Sequence, residues 1–152
     1  MALSTSTITA AIAALSISGV TIKDANAIPD QVLDRDCPIL FPMPGEFFEG
    51  GKGSPDDEST FGTSTTRYWH IYKTFKYLYL DSIVGSGRGI NQVYADAAGR
   101  LDLIWTAILT LNVSGVDVKN AIPEKLGTVQ DASGNSFIGT IWHIEVLERI
   151  NA

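Results

Sequence analysis

Apolar residues near the start of the chain, Leu3, Ile8, Ala11, Ile12 and Leu15, recur at mostly helical spacing, with Ser4 or Ser6 placed to cap the run. The pattern predicts a short amphipathic helix, Ser4 to Leu15, that Gly19 ends. Val20-Thr21-Ile22 predicts a brief strand or extended turn. Cys37 to Met43 predicts another strand, which Pro38, Pro42 and Pro44 restrict to an edge or to strand ends. In RYWHIYKTFKYLYLDSIV the residues Trp69, Ile71, Phe75, Tyr77 and Tyr79 alternate against His70, Tyr72, Thr74, Lys76 and Leu78, a strong strand signal. Such a run reaches roughly 45 Å unbent. It exceeds what a small sheet needs, so part of it is expected to protrude or to pair across a subunit boundary.

After GSGRG, the residues Ile90, Val93, Tyr94, Ala97, Leu101, Ile104, Ile108 and Leu111 are spaced by threes and fours. They form one apolar stripe along a helix of about 20 residues, with Asn91, Asp96, Arg100 and Asp102 opposite on a solvated face. The chain closes with LGTVQD, a DASGN turn and SFIGTIWHIEVLERI, in which Ile138, Thr140, Trp142, Ile144 and Val146 share a face. Two alternating runs about a short Gly-containing turn predict a hairpin. The expected fold is α+β: an antiparallel sheet with the long amphipathic helix and the short N-terminal helix packed on one face, and a long loop or hairpin extension.

One phrase occurs twice. Leu15, Ser18, Gly19, Val20 and Lys23 recur as Leu111, Ser114, Gly115, Val116 and Lys119, and Asn26-Ala27-Ile28-Pro29 recurs as Asn120-Ala121-Ile122-Pro123. The echo predicts that both helices leave through the same short, glycine-turned connection.

Between the strand signals lies GEFFEGGKGSPDDESTFGTSTT, residues 45–66, whose Gly, Ser, Thr and acidic residues cannot make a core of their own. The composition predicts a long loop, with Phe47-Phe48 as its apolar anchor. The chain has 152 residues, enough for one domain covering 1–152 with a core that needs no staple. Its formal charge of -6 and scattered 11 basic residues oppose a nucleic-acid-binding surface. The single cysteine, Cys37, excludes an intramolecular disulfide and a multi-cysteine zinc site. Ala25-Asn26-Ala27 has the form of a signal-peptide cleavage site, but no Lys or Arg precedes Lys23 and Ser and Thr break the apolar run before it. No run approaches the ~20 apolar residues of a membrane span.

Candidate chemistry is sparse. Gly85, Gly87 and Gly89 miss the spacing of a dinucleotide fingerprint, and no Lys-Ser or Lys-Thr pair comes after them as in a phosphate loop. The histidines sit in two copies of Trp-His-Ile, at His70 and His143. On neighbouring strands they could lie on one sheet face and bind a metal with Glu145, although ordinary polar-face residues explain them as well. The run Asp56-Asp57-Glu58 has no base or nucleophile beside it, and no G-x-S-x-G occurs. The expectation is no catalysis, no metal and no cofactor.

The order of these parts resembles the tail terminator, or tail-completion, proteins of long-tailed bacteriophages and related phage-like particles. The resemblance is carried by Ser4 to Leu15, Ala27-Ile28-Pro29, Ile39-Leu40-Phe41-Pro42, the acidic loop, Arg67 to Leu80, Ile90 to Leu111 and Gly139 to Val146. It implies a virion structural protein forming a homo-oligomeric ring, typically of six subunits, at the head-tail junction. Such a ring stops the tail tube protein from polymerising and gives the head-tail connector proteins a docking surface, and genomic DNA passes through it without sequence-specific binding. The implied location is the neck of the virion, and the host cytoplasm during assembly. On this reading Phe47 and Phe48 are candidates for a subunit or tube interface, and Glu46, Glu49, Asp56, Asp57 and Glu58 for the channel. The long acidic loop and the aromatic-rich strand depart from the family pattern and leave open another neck or head-tail joining protein. A small enzyme and a monomeric ligand-binding module are the competing classes, and a pocket with convergent polar groups would favour either.

Overall fold

The computed structural model describes residues 5–45, 47–59, 65–83, 89–130, 134 and 136–151, with side chains except at 49, 52–59, 65–69, 90 and 151. In chain order the elements are α1 (Thr5–Ala13), β1 (Thr21–Ile22), β2 (Ile39–Pro42), β3 (Phe48–Ser59), β4 (Thr65–Asp81), α2 (Ile90–Leu109), β5 (Val116–Pro123), β6 (Gly127–Gln130) and β7 (Ser136–Asn151). Two short 3-10 turns, Ala25–Ala27 and Asp34–Asp36, lie between β1 and β2. The fold is mixed α+β, with a seven-stranded sheet and two helices among the described residues.

The centre of the sheet is the antiparallel ladder of β4 on β7, continuous from Tyr68↔Asn151 to Asp81↔Ile138. Each long strand carries two shorter ones in series along its outer edge: β3 and β2 along β4, β5 and β6 along β7. The surplus length expected to protrude is therefore largely paired within the chain. β2 lies between β1 and β4 and is not an exposed edge. Its prolines permit this because Pro38 precedes the strand and offers its carbonyl to Thr21 N–H at 3.1 Å, while Pro42 is the last residue. β1 runs parallel to β2, so the sheet is mixed where a wholly antiparallel one was expected.

The larger correction concerns residues 45–66. The expected loop is, from Phe48 to Ser59, a strand paired residue by residue with β4, with one register shift between Phe48 and Gly50. A poor side-chain composition does not prevent this, because the ladder bonds backbone to backbone and β4 offers an edge that otherwise faces water. The segment takes the hairpin form of the expected extension, and 60–64 lies outside the described residues.

The main core lies between the helices and one face of the sheet. Ile8 and Ile12 of α1 and Val93, Ala97, Ile104 and Ile108 of α2 pack with Phe75, Tyr77 and Tyr79 of β4 and Trp142, Ile144 and Val146 of β7. The phase read from the helical stripe and from β7 therefore stands. A smaller core on the opposite face joins Val32, Ile39, Phe41, Leu78, Leu80 and Phe137 under the segment that carries the 3-10 turns.

The repeated phrase has a physical basis. Leu15 N–H bonds Ile12 O at 3.1 Å and Leu111 N–H bonds Ile108 O at 3.1 Å, so both helices close with a tightened turn. Val20 then bonds back to Ile17 and Val116 to Val113, each at 3.1 Å. Gly19 and Gly115 take φ of 76° and 74° in these turns, which favours glycine. The two exits then diverge. One leads into the two residues of β1, and the other into β5, a strand of eight residues not foreseen beyond Val118.

Gly139 sits where β4 and β7 approach most closely, and a Cβ there would fall 2.0 Å from the Tyr79 carbonyl oxygen. Gly127, its partner in β6, has open space at the same point. Gly139→Ala is expected to cost at least about 3 kcal/mol, because backbone of the central ladder must move, while Gly127→Ala stays near neutral. Urea midpoints of the two variants check this.

Candidate functional site

β4 and β7 are neighbours, as a shared histidine site requires, but the register separates the two imidazoles. His143 stands opposite Lys76, and His70 lies six positions further along β4, roughly 20 Å away at strand rise. His143 Nε2 instead meets Glu124 Oε1 at 2.7 Å, and Glu145 stands opposite Thr74. Among the described residues no three His, Cys, Asp or Glu side chains gather to hold a metal ion. Of GSGRG only Gly89 is described, and it precedes α2 without a side-chain cap.

The polar chemistry of the interior is structural in placement. Lys73 points from β4 toward α1, 5% exposed, and its Nζ donates to Glu148 Oε1 at 2.5 Å and to Thr5 Oγ1 at 2.7 Å. This buried ion pair joins the two central strands and the first turn of α1. At the other end of the ladder Asp81, 1% exposed, accepts from Arg100 Nη1 at 2.8 Å and from Ser82 N–H at 2.8 Å. Arg100 thus leaves the solvated face expected for it and ties α2 to the end of β4. Neither pair has a sequence signal, since the partners stand far apart in the chain and their spacing obeys no local period.

Cys37 and Tyr79 share the neighbourhood of Asp81. Burial, then the charges of Asp81, Asp34 and Asp36, pushes the Cys37 thiol up to about 12 from its ordinary 9.0. Burial and then Asp81 push Tyr79 up to about 12 from 10.0, against the opposing pull of Arg100. This thiol is therefore no nucleophile at neutral pH. Deeper in the main core Tyr77 Oη and Trp142 Nε1 are buried without hydrogen-bond partners among the described residues.

Hollows open on the surface among the described residues. The one lined by Pro29, Asp30, Val32, Phe41, Met43, Pro44, Leu78 and Gln130 has about 220 Å³ and lies over the small core. That is less than drug-sized ligands occupy. A second, of about 480 Å³, lies beside the Gly19 turn and includes Ser18, Asp96, Arg100 and Leu103. A third, about 590 Å³, is lined by the single stretch 124–130 and Ile141.

Large apolar side chains instead stand in water. Leu103, Trp105 and Leu109 of α2 are 49%, 39% and 52% exposed, and Ile122 on β5 is 45% exposed. Trp105 rests edge-on against Trp142, with ring centroids 6.0 Å apart. The two phenylalanines read as an interface differ from each other. Phe47 is half-buried against the main core, whereas Phe48 packs edge-on to Phe75 at 5.7 Å and stays 44% exposed. Among the acids read as channel-facing, Glu46 lies outside the described residues. For Glu49, Asp56, Asp57 and Glu58 the backbone position in β3 is described and the side chain is not. No helix among the described residues is long and apolar enough to cross a membrane. No protein-family model matches the chain, and no curated protein matches its sequence.

Two outcomes are expected. Removing one partner of the buried ion pair, by Lys73→Met or Glu148→Leu, should cost about 3 to 5 kcal/mol, whereas the double variant should recover most of it. A double-mutant cycle in urea reads this directly. Because Cys37 and Tyr79 ionise more readily in the unfolded chain, the unfolded state binds fewer protons as pH rises above 9.0. Stability is then expected to fall with pH from there upward. The fall should be shallower in Cys37→Ser and Tyr79→Phe, as measured by urea midpoints between pH 8 and 11.

Proposed function

We propose that this chain is a virion structural protein that forms a ring at the head-tail junction of a long-tailed bacteriophage, ends the tail tube and gives the head its docking surface. The observation that carries the reading is the outer side of α2. A helix whose inner side fills the core has no folding reason to display Leu103 and Leu109 to water, but a helix that a neighbouring subunit covers does. The order of elements supports the same reading, from the short helix and the Ile-Pro phrase through the Pro-ended β2 to α2 and the β6-β7 hairpin.

A ring needs a heterologous contact, in which two different surfaces of one chain meet. The exposed side of α2 supplies one, and the exposed part of Phe48 on the opposite flank of the sheet belongs to a second. The acids Glu46, Glu49, Asp56, Asp57 and Glu58 give residues 45–66 a strongly negative balance against the single Lys52. Turned toward the channel, they would repel phosphate and let DNA slide where a basic lining would hold it. The partners are further copies of the chain, the tail tube protein, the connector proteins and the genome in transit. No catalytic step is part of this role.

Sedimentation of the purified protein, alone and on tail tubes, tests the reading. The expected result is a particle with the mass of about six 16.4 kDa chains that halts tube elongation when added to polymerising tube protein. Leu103→Asp with Leu109→Asp should lower that mass toward one chain. The melting temperature at low concentration should hardly change, since exposed substitutions usually cost within about 0.5 kcal/mol. A monomer at every concentration, or tubes that lengthen unchecked in its presence, would remove the proposal.

A further inference from the structure

The two outer strands of the sheet are matched to each other. Among the described residues β3 pairs only with β4, and β5 only with β7, so each leaves one backbone edge open. The two edges stand level. Gly51 of β3 lies opposite Lys73, Lys73 opposite Val146, and Val146 opposite Val118 of β5. Two rows on, Phe48, Phe75, Ile144 and Ala121 form a second line across the four strands.

The ladder pattern says which backbone groups face outward. In an antiparallel pair, residues alternate between bonding the partner strand and pointing away from it. Arg149 N–H bonds Gly115 O, and Glu124 N–H bonds Ile141 O. Counting from these two bonds turns Val118 and Ala121 outward. Lys76 N–H bonds Phe47 O, which turns Phe48 outward. Pro55 has no N–H to give β4, so it is an outward position, and with it Gly53 and Gly51. The open groups are thus at Phe48 and Gly51 on one edge, and at Ala121 and Val118 on the other.

Both pairs are three residues apart, where a regular strand would have two or four, because each edge carries a register shift between them. On β3 the shift lies between Phe48 and Gly50, and on β5 between Val118 and Asn120. The extra residues are Glu49 and Lys119, of opposite charge. Bulges and prolines normally stop edges from pairing at random. Here they fall in adjacent rows on both edges, and each spoils pairing with any strand that lacks its counterpart.

We propose that β5 of one copy pairs with β3 of the next, Val118 against Gly51 and Ala121 against Phe48, which sets Lys119 against Gly50 and Asn120 against Glu49 at the two bulges. β5 runs with β4 and β3 against it, so the seam is antiparallel and continues the alternation of the sheet. The two edges differ, so the contact is head-to-tail, the kind that closes into a ring when the rotation permits. The inference rests on the ring of the proposed function and specifies its seam.

The test uses the full chain in a Cys37→Ser background. Glu49→Cys and Asn120→Cys together should give, on mild oxidation, a ladder of covalent multimers ending at the ring, because paired residues bring their Cα atoms to about 4.5 to 5.5 Å. Either cysteine alone should give dimers at most. Separately, Asn120→Glu should weaken assembly about tenfold or more by setting like charges together, and adding Glu49→Lys should restore it. A ring-sized particle that neither cross-links nor responds to the charge exchange places the seam elsewhere and overturns this proposal while sparing the ring. A monomer at all concentrations overturns both.

Discussion

The register of β4 on β7 is the constraint on which the rest of the molecule depends. The side-chain period of a strand is two, so a slip of one residue would turn Phe75, Tyr77 and Tyr79 away from the helices and Lys76 into the core. Several features hold the ladder in place. Gly139 admits the Tyr79 carbonyl at a spacing that only a residue without Cβ allows. The direct pair Tyr77↔Trp142 fills the centre of the main core, and Lys73 finds Glu148 diagonally across the same two strands. The ladder also fixes the periphery, since β2 and β3 pair along β4 and β5 and β6 along β7.

One interior ion pair stands near the middle of this ladder and the other at its Asp81 end, and each recruits a helix. Lys73 reaches Thr5 at the start of α1, and Asp81 reaches Arg100 near the middle of α2. Apolar packing between a helix and a sheet is non-directional and tolerates sliding. A charged hydrogen bond to a buried partner does not, because any displacement leaves a charge uncompensated in the interior. The pairs therefore act on the alignment of the helices more than on the depth of the free-energy minimum.

Much of the fold was legible in the sequence where one period dominates. The stripe from Val93 to Ile108 and the alternation of Ile138, Thr140, Trp142, Ile144 and Val146 are strong because each residue reports the same buried surface. β3 was hidden because its contribution is backbone pairing, to which Gly50, Gly51 and Gly53 lend no side-chain pattern. β5 was hidden behind the echo of the first helix exit, which repeats the turn and not the strand beyond it. Arg100 was misplaced because its position on the helical wheel borders the polar face, and only the end of β4 supplies the acid that draws it in. Of the surfaces proposed for assembly, Phe48 was visible as an unexplained apolar residue in a polar stretch. Leu103 and Leu109 were not, since exposed leucines on a helix leave no mark in periodicity.

The small core on the far face has a consequence for how the protein opens. β2 has one foot in each core, with Leu40 turned to the helices and Ile39 and Phe41 turned to the segment 25–36. That segment holds its place through Val32, Ile28, two 3-10 turns and the hydrogen bond that Ser82 Oγ donates to Asp34 Oδ1 at 2.7 Å, with no long helix or strand of its own. It can lift away as a unit of local unfolding, uncovering Phe41 and Leu78 while the ladder and both helices stay intact. Slow-exchanging amides should then divide the sheet unevenly, with the rows of β4 facing β7 protected to the global limit and those shared with β2 released earlier. The molecule would breathe on one side of a plane whose other side remains closed.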